Sequence, residues 1–171
     1  LTIQGSLAAT LTTITGANTF NRAVTINTGR LSIASIGSVG SVSSNLGAPT
    51  TSTNAIINLI GGGTLLYTST GEASDRVINL SSGGTSGGTI DQSGSGLLKF
   101  TGGLTSTASS GAKILTLQGS TAGTGELSGV IANGTQPTII TKSGTGTWTL
   151  SNANTYSGKT TITGGAGTLI V

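Results

Sequence analysis

Two segments near the ends of the chain repeat the same order of residues. Residues 14–33 read ITGANTFNRAVTINTGRLSI, and residues 150–171 read LSNANTYSGKTTITGGAGTLIV. Both contain Ala-Asn-Thr and an aromatic residue, followed by a β-branched run, a glycine-containing turn and a Leu-x-(Ile/Val) run. Units that repeat in this way usually stack and bury their apolar faces against their neighbours. The repetition therefore predicts a solenoid of stacked coils.

Short apolar runs along the rest of the chain have the length and pattern of β-strands. Many alternate apolar and polar residues, as in Leu115-Thr116-Leu117, and glycine-rich turns such as Gly61-Gly62-Gly63 separate them. Glycine also interrupts every stretch that is long enough to show helical periodicity. We therefore predict one all-β domain, a parallel β-solenoid over residues 1–171 with repeat-like segments at 14–33 and 140–171. It should contain roughly six to eight coils, with apolar columns inside and Thr and Ser ladders outside.

The composition supports this fold and excludes several classes of function. Gly, Thr and Ser number 30, 33 and 23 residues, and only 6% of the chain is charged, against about 25% in an ordinary globular protein. Cysteine and histidine are absent, which excludes disulfides and argues against zinc sites and histidine-dependent triads. The seven Lys and Arg residues are scattered, so the chain lacks the basic patch that nucleic-acid binding requires.

The last 32 residues carry a dense motif that combines Lys-x-Gly-x-Gly-Thr-Trp-x-Leu, Asn-Thr-Tyr-x-Gly-x-Thr and Gly-Thr-Leu-x-Val. The matching residues are Lys142, Gly144, Gly146, Thr147, Trp148, Leu150, Asn154, Thr155, Tyr156, Gly158, Thr160, Gly167, Thr168, Leu169 and Val171. This segment resembles the passenger-associated transport repeat, also called the autotransporter-associated β-strand repeat, and residues 14–33 resemble a degenerate copy of it. The resemblance implies a right-handed parallel β-helix that is exported to the bacterial cell surface and has no catalytic activity of its own.

Few residues are suited to catalysis or metal binding. The chain has only four acids: Glu72, Asp75, Asp91 and Glu126. They form no cluster in the sequence that would suggest a calcium site or the paired carboxylates of a glycoside hydrolase. Glu72 and Asp75 lie close to Arg76, for which we expect a local, solvated ion pair. We therefore predict no catalytic residue, no metal site and no cofactor, and assign the motif residues a structural role in the repeat.

The alternation also predicts which side chains face the core. Trp148 alternates with Leu150 and should point inward, and Asn18 and Asn154 occupy equivalent turn positions where they should bond to backbone groups. The residues expected in buried, stacked columns are Leu150, Ile162 and Leu169, with Ile14, Ile26 and Leu31 at the matching positions.

These features predict a non-enzymatic, extracellular or cell-surface structural solenoid of a bacterium, acting as a stalk or as a self-associating fibre subunit. The alternative is an adhesin passenger domain that binds a surface glycan or protein. Residues 1–3 and 168–171 are apolar strand sequences, and low charge would not keep such ends apart. Either such a chain is cut from a longer solenoid, or its ends meet those of neighbouring copies. Of the two we predict end-to-end self-association, and we expect neither nucleic-acid binding nor membrane insertion of this segment.

Overall fold

The chain forms short parallel strands throughout the part that the structure describes. This structure, a computed structural model, describes residues 1–5, 10–81, 86–165 and 167–171. The strands in these ranges are β1 Thr2–Gln4, β2 Leu11–Ile14, β3 Val24–Asn27, β4 Arg30–Ile33, β5 Ile57–Ile60, β6 Gly63–Tyr67, β7 Glu72–Ser74, β8 Ile78–Leu80, β9 Gly88–Gln92, β10 Leu97–Phe100, β11 Leu104–Ser106, β12 Lys113–Gly119, β13 Thr124–Leu127, β14 Thr138–Lys142, β15 Thr147–Leu150, β16 Thr160–Ile162 and β17 Thr168–Ile170. None of the described residues is helical, so these ranges contain no helix that could cross a membrane.

The strands form three parallel sheets that run along one axis. Sheet A has the order β1-β3-β5-β8-β11, sheet B has β2-β4-β6-β9-β12-β14-β16, and sheet C has β7-β10-β13-β15-β17. A complete coil passes through A, B and C and then returns to A one level higher. The seven strands of sheet B are separated by six turns of the chain. The predicted all-β parallel solenoid of six to eight coils is confirmed.

Alternation along each strand places the apolar residues in columns inside the coils. In sheet B, the register stacks Leu31, Leu65, Ile90 and Leu117, and each of these side chains is fully buried. Burying a side chain of this size stabilises a fold by about 1.5–3 kcal/mol. Most of the stability of the solenoid therefore comes from contacts between coils, because each strand is too short to be stable alone.

The outward positions form the predicted ladders of polar side chains. Successive strands of sheet B place five threonines in register: Thr64, Thr89, Thr116, Thr141 and Thr161. On sheet A, Asn79 donates from Nδ2 to Oδ1 of Asn58, which is its partner in the neighbouring strand, at 2.8 Å. The outer surface is therefore dominated by small neutral hydrogen-bonding groups.

The predicted core is correct at some positions and wrong at one. Ile26, Leu31 and Leu150 are buried, as expected. Ile14 and Leu169 are only partly buried, and Ile162 is 61% exposed. Ile162 pairs with the buried Lys142 and so occupies the inward register, but no described coil lies beyond its strand. Its side chain therefore has a neighbour on one side only.

Candidate functional site

Lys142 lies at the corner where the chain turns from sheet B into sheet C. The residue ends β14, and its Nζ donates to the carbonyl oxygens of Ser143 at 2.6 Å and Gly144 at 3.1 Å. Gly144 has a φ of +66°, a left-handed conformation that glycine adopts without strain. The Lys142 side chain is fully buried, and burial lowers its pKa. The conspicuous lysine of the motif therefore satisfies turn carbonyls inside the fold and is not exposed for chemistry.

Gln92 has the same structural role two coils earlier, where it ends β9 and its side chain donates to a carbonyl of the following turn. Its Nε2 donates to the carbonyl of Gly96 at 2.6 Å, within a Gly-x-Gly turn like that of Lys142. In each case a glycine of the next coil lies against the donor nitrogen: a Cβ on Gly123 would come 2.7 Å from Gln92 Nε2, and one on Gly167 would come 2.5 Å from Lys142 Nζ. The corner thus consists of a long side-chain donor in one coil and a glycine in the next.

Trp148 fills the interior of the next-to-last coil in sheet C. Its side chain is fully buried, as predicted, and its Nε1 donates to the carbonyl of Gln118 at 2.9 Å. Its register partner in the preceding coil is Gly125. Because Gly125 has no side chain, the indole ring can occupy the space beside it. Leu150, two residues further on, is also buried.

The two equivalent asparagines bond to turn backbone, as the sequence predicts. Asn154 Oδ1 accepts a hydrogen bond from the amide of Ile131 at 2.9 Å. Asn18 Nδ2 donates to the carbonyls of Gly16 and Asn45, both at 3.0 Å. Each asparagine therefore connects its own turn to a neighbouring part of the fold.

The remaining motif residues lie at the end of the repeat. Tyr156 packs against the core, and its hydroxyl lies 2.7 Å from Oγ1 of Thr160. Gly158 lies against the carbonyl of Thr138 in the preceding coil, where a side chain would not fit. Val171 is 85% exposed. These contacts hold the turn between sheets C and B and involve no arrangement of reactive groups.

Glu72 and Asp75 bind a distant loop, and the expectation of a solvated local ion pair with Arg76 is wrong. Glu72 accepts hydrogen bonds from the amides of Ile36 at 2.5 Å and Gly37 at 3.3 Å. Asp75 accepts one from the amide of Val39 at 2.9 Å. Burial raises the pKa of Glu72, although the two amides act in the opposite direction.

Arg76 completes this arrangement from the interior. It is fully buried and donates to the carbonyls of Gly37, Leu46 and Gly47 at 3.2, 2.8 and 3.3 Å. Its Nη1 has no hydrogen-bond partner among the described residues, and burial lowers the pKa of the guanidinium to about 10. We call Glu72, Asp75 and Arg76 the loop clamp, and residues 34–54 the cap loop. The cap loop lies against β7, the first strand of sheet C.

The loop clamp could not be recognised from the sequence because its partners lie 29 to 39 residues earlier in the chain. The only available signal was the unusual concentration of three charges in a chain that has so few. These three residues do act together, but their proximity in the sequence predicted that they pair with one another, whereas they bond to the cap loop.

The other two acids lie on outer faces. Glu126 accepts from Ser151 Oγ at 2.6 Å and from Lys99 Nζ at 3.0 Å, and these two hydrogen bonds lower its pKa. Asp91 lies beside a shallow groove of about 360 Å³ at the corner between sheets B and C. Within the described ranges, no three His, Cys, Asp or Glu residues lie close enough to hold a metal ion.

Comparison with known proteins gives matches of two kinds. The family model of the passenger-associated-transport repeat matches residues 9–33 and 140–171. Among curated proteins, the chain is 38% identical over 131 residues to the adhesin BmaC autotransporter of Brucella suis biovar 1 (strain 1330). That match covers 74% of this chain but only 4% of the relative's length. No solved structure matches the chain significantly.

Proposed function

Because this chain belongs to the autotransporter-associated repeat proteins, we propose that it is a non-enzymatic, rod-like segment of an adhesin on a bacterial surface. The observation that carries this proposal is the continuity of the three parallel sheets, in which each coil repeats the inward register of the coil before it. Six turns at about 4.8 Å give a length of about 30 Å. Such a segment holds other parts of a surface protein at a fixed distance from the membrane.

The distribution of charge supports a structural role over catalysis. Glu72 and Asp75 are bound to cap-loop amides, and Glu126 is bound to Lys99 and Ser151. The motif lysine is buried against turn carbonyls. A catalytic site needs groups that can reach a substrate and exchange protons with it, and these side chains already have structural partners.

The name of the relative supports surface display. That protein is called an adhesin and an autotransporter, and the matched segment makes up a small share of its length. A short segment of a long passenger is well suited to act as a spacer. We extend surface location and a part in adhesion to this chain as elements of the same proposal.

The test is to insert residues 1–171 into the passenger of a surface-displayed autotransporter. We expect the fusion to be exported, to resist external protease, and to place a tag beyond the insert about 30 Å further from the membrane. Electron tomography of the labelled tag measures that distance. An insert that is exported but leaves the tag at its original distance, or that is degraded, would contradict the proposal.

We further propose that residues 1–171, when separated from any flanking coils, self-associate at the edge formed by β16 and β17. No described strand pairs with their outer sides, and Ile162 and Ile170 are exposed there at 61% and 50%. Strand β2 of a second copy, the other end of sheet B, can add to β16 by parallel pairing, which gives an open head-to-tail contact. Sedimentation of the purified chain should show concentration-dependent assembly that Ile162→Lys prevents and Val42→Lys, a change at another exposed apolar residue, does not. A monomer at all concentrations would refute this.

A further inference from the structure

The groove beside Asp91 is built from three successive coils. It lies where β9, β12 and β14 end, and its polar lining comes from side chains of these strands and of the turns that follow them. The side chains are Asp91, Ser93, Gln118, Ser120 and Thr145. Backbone of Gly119 and Gly144 completes the surface. Since stacked coils are about 4.8 Å apart, the first and third of these turns are about 10 Å apart along the axis.

Asp91 is held in one orientation at this groove. Its side chain is 7% exposed, Ser93 Oγ donates to Oδ1 at 2.6 Å, and Gln118 Nε2 donates to Oδ2 at 2.8 Å. Ser143 Oγ lies 3.4 Å from Oε1 of Gln118, which favours this orientation of the amide. A carboxylate has about four acceptor positions, so these two hydrogen bonds leave acceptor capacity for a ligand.

The charge at the groove is nearly balanced. Arg30 is not part of the lining, but its Nη2 lies 3.6 Å from Asp91 Oδ2, and the lining side chains other than Asp91 are neutral. An anion would be repelled by Asp91, and a cation would meet Arg30 and find no second acid within reach. A ligand that both donates and accepts hydrogen bonds and carries no net charge fits these groups best.

We propose that this groove binds a neutral glycan, with two consecutive pyranose rings lying along the solenoid axis. Sugar hydroxyls can donate to Asp91 and can accept from or donate to Gln118, Ser120 and Thr145. The volume is at the lower end of the range for small-ligand sites, which suits a short oligosaccharide. An extended peptide would need a free strand edge or apolar pockets, and neither is present at this groove among the described residues.

The inference rests on the proposed adhesin role, and it deepens that role by naming a ligand class. Failure of the glycan proposal can be distinguished from failure of the rod proposal, because the rod is tested by the distance of a tag from the membrane, measured without any sugar. If the groove binds nothing, the segment can still act as a spacer. If the segment does not extend a passenger, the purified chain can still bind a glycan.

The experiment is a titration of the ¹⁵N-labelled chain, followed by amide NMR signals. The probes are neutral oligosaccharides built of two to four hexose or N-acetylhexosamine units, and the same oligosaccharides carrying sialic acid. We expect at least one neutral probe to shift the amide signals of Gly119, Ser120, Gly144 and Thr145, with a dissociation constant of about 1 mM or below. Neutral probes should bind more tightly than their sialylated forms.

Two variants and a control decide whether the groove is responsible. Asp91→Asn should weaken binding about tenfold, and Thr145→Trp, which places a bulky side chain in the turn at the opposite end of the groove from Asp91, should abolish it. Glu126→Gln changes an acid on a different sheet and should leave binding unchanged. Absence of shifts with every neutral probe, preference for sialylated probes, or binding that survives Thr145→Trp would each overturn the proposal.

Discussion

The indole of Trp148 lies directly against Gly125 of the preceding coil, and a Cβ on Gly125 would come 2.5 Å from Cε2 of the ring. The two residues are register partners in neighbouring strands of sheet C, so the largest side chain of the motif depends on the absence of a side chain one coil away. Such a pair is a property of two stacked coils and is not visible in either coil alone.

The first prediction tests this pair. Gly125→Ala should destabilise the protein by about 1–3 kcal/mol, because the added methyl group forces the buried indole from its position. Gly16→Ala is the matched control, since a Cβ there would meet only ordinary contacts with Asn18 at 3.5 Å or more. Urea unfolding measures both. If Trp148→Leu in the Gly125→Ala background recovers none of the loss, the ring is not the obstacle.

The second prediction concerns the corner lysine. Lys142→Ala leaves the carbonyls of Ser143 and Gly144 without their donor and should cost about 1–3 kcal/mol. Lys142→Gln should cost less, because Gln92 already performs the same function at its own corner. Thermal unfolding of the two variants gives the comparison. Equal losses would show that the ammonium group, and not merely a donor of sufficient reach, is required.

The third prediction concerns the loop clamp. Arg76→Met retains much of the side-chain volume but removes the donors to Gly37, Leu46 and Gly47, so the cap loop should open more easily. The loss should be about 1–3 kcal/mol. Hydrogen exchange should accelerate first at the amides of Ile36 and Gly37. Arg22→Met, at an exposed arginine, should change neither stability nor exchange; comparable effects in both variants would contradict the clamp.

The fourth prediction concerns pH. Hydrogen bonds from Ser151 and Lys99 lower the pKa of Glu126 below its ordinary value of 4.5, so the folded state holds the proton less tightly than the unfolded state. The resulting contribution of Glu126 to the free energy of unfolding is present above pH 4.5 and is lost as the pH falls through the lowered pKa. Its size should be below about 1 kcal/mol because the pair lies at the surface. Glu126→Gln should therefore reduce the loss of stability on acidification, as measured by urea midpoints across the acid range.

The pKa of Glu72 is shifted in the opposite direction from that of Glu126. Its pKa is raised by burial, so the folded state holds the proton more tightly, and protonation favours folding as the pH falls through the raised pKa. Glu72→Gln should remove this gain and make the loss of stability on acidification steeper. If both glutamine variants change the pH profile in the same direction, the assigned pKa shifts are wrong for one of them.

The fifth prediction compares two apolar residues of the last repeat. Leu150→Asp places an unpaired charge in the core, since Leu150 is 3% exposed, and should cost several kcal/mol. Ile162→Asp should change the stability of the monomer by less than about 0.5 kcal/mol because this side chain is already 61% exposed. Circular dichroism during thermal unfolding separates the two. A large loss in Ile162→Asp would mean that a further coil or a second copy covers this position.

The class of fold followed from the sequence because its evidence is local and repeated. Alternation predicts which side of a strand is apolar, and it correctly indicated that Trp148 and Leu150 point inward. The equivalent positions of Asn18 and Asn154 predicted bonds to turn backbone for the same reason. The candidate groove had no such signal. Asp91, Gln118 and Thr145 belong to three different coils, and only the register brings them to one surface.

The sequence by itself thus determined where strands and turns lie, which side of each strand faces inward, and that the coils repeat, since these properties depend on residues within a few positions of one another. The tertiary structure decided which coil lies against which. It brought Glu72 and Arg76 into contact with the cap loop, whose bonded residues lie 29 to 39 positions earlier in the chain, and it gave Trp148 the space beside Gly125. It also left Ile162 exposed although its position in the strand faces inward. Burial in a solenoid depends on a neighbouring coil as well as on the strand, and the pattern within one strand contains no information about that neighbour.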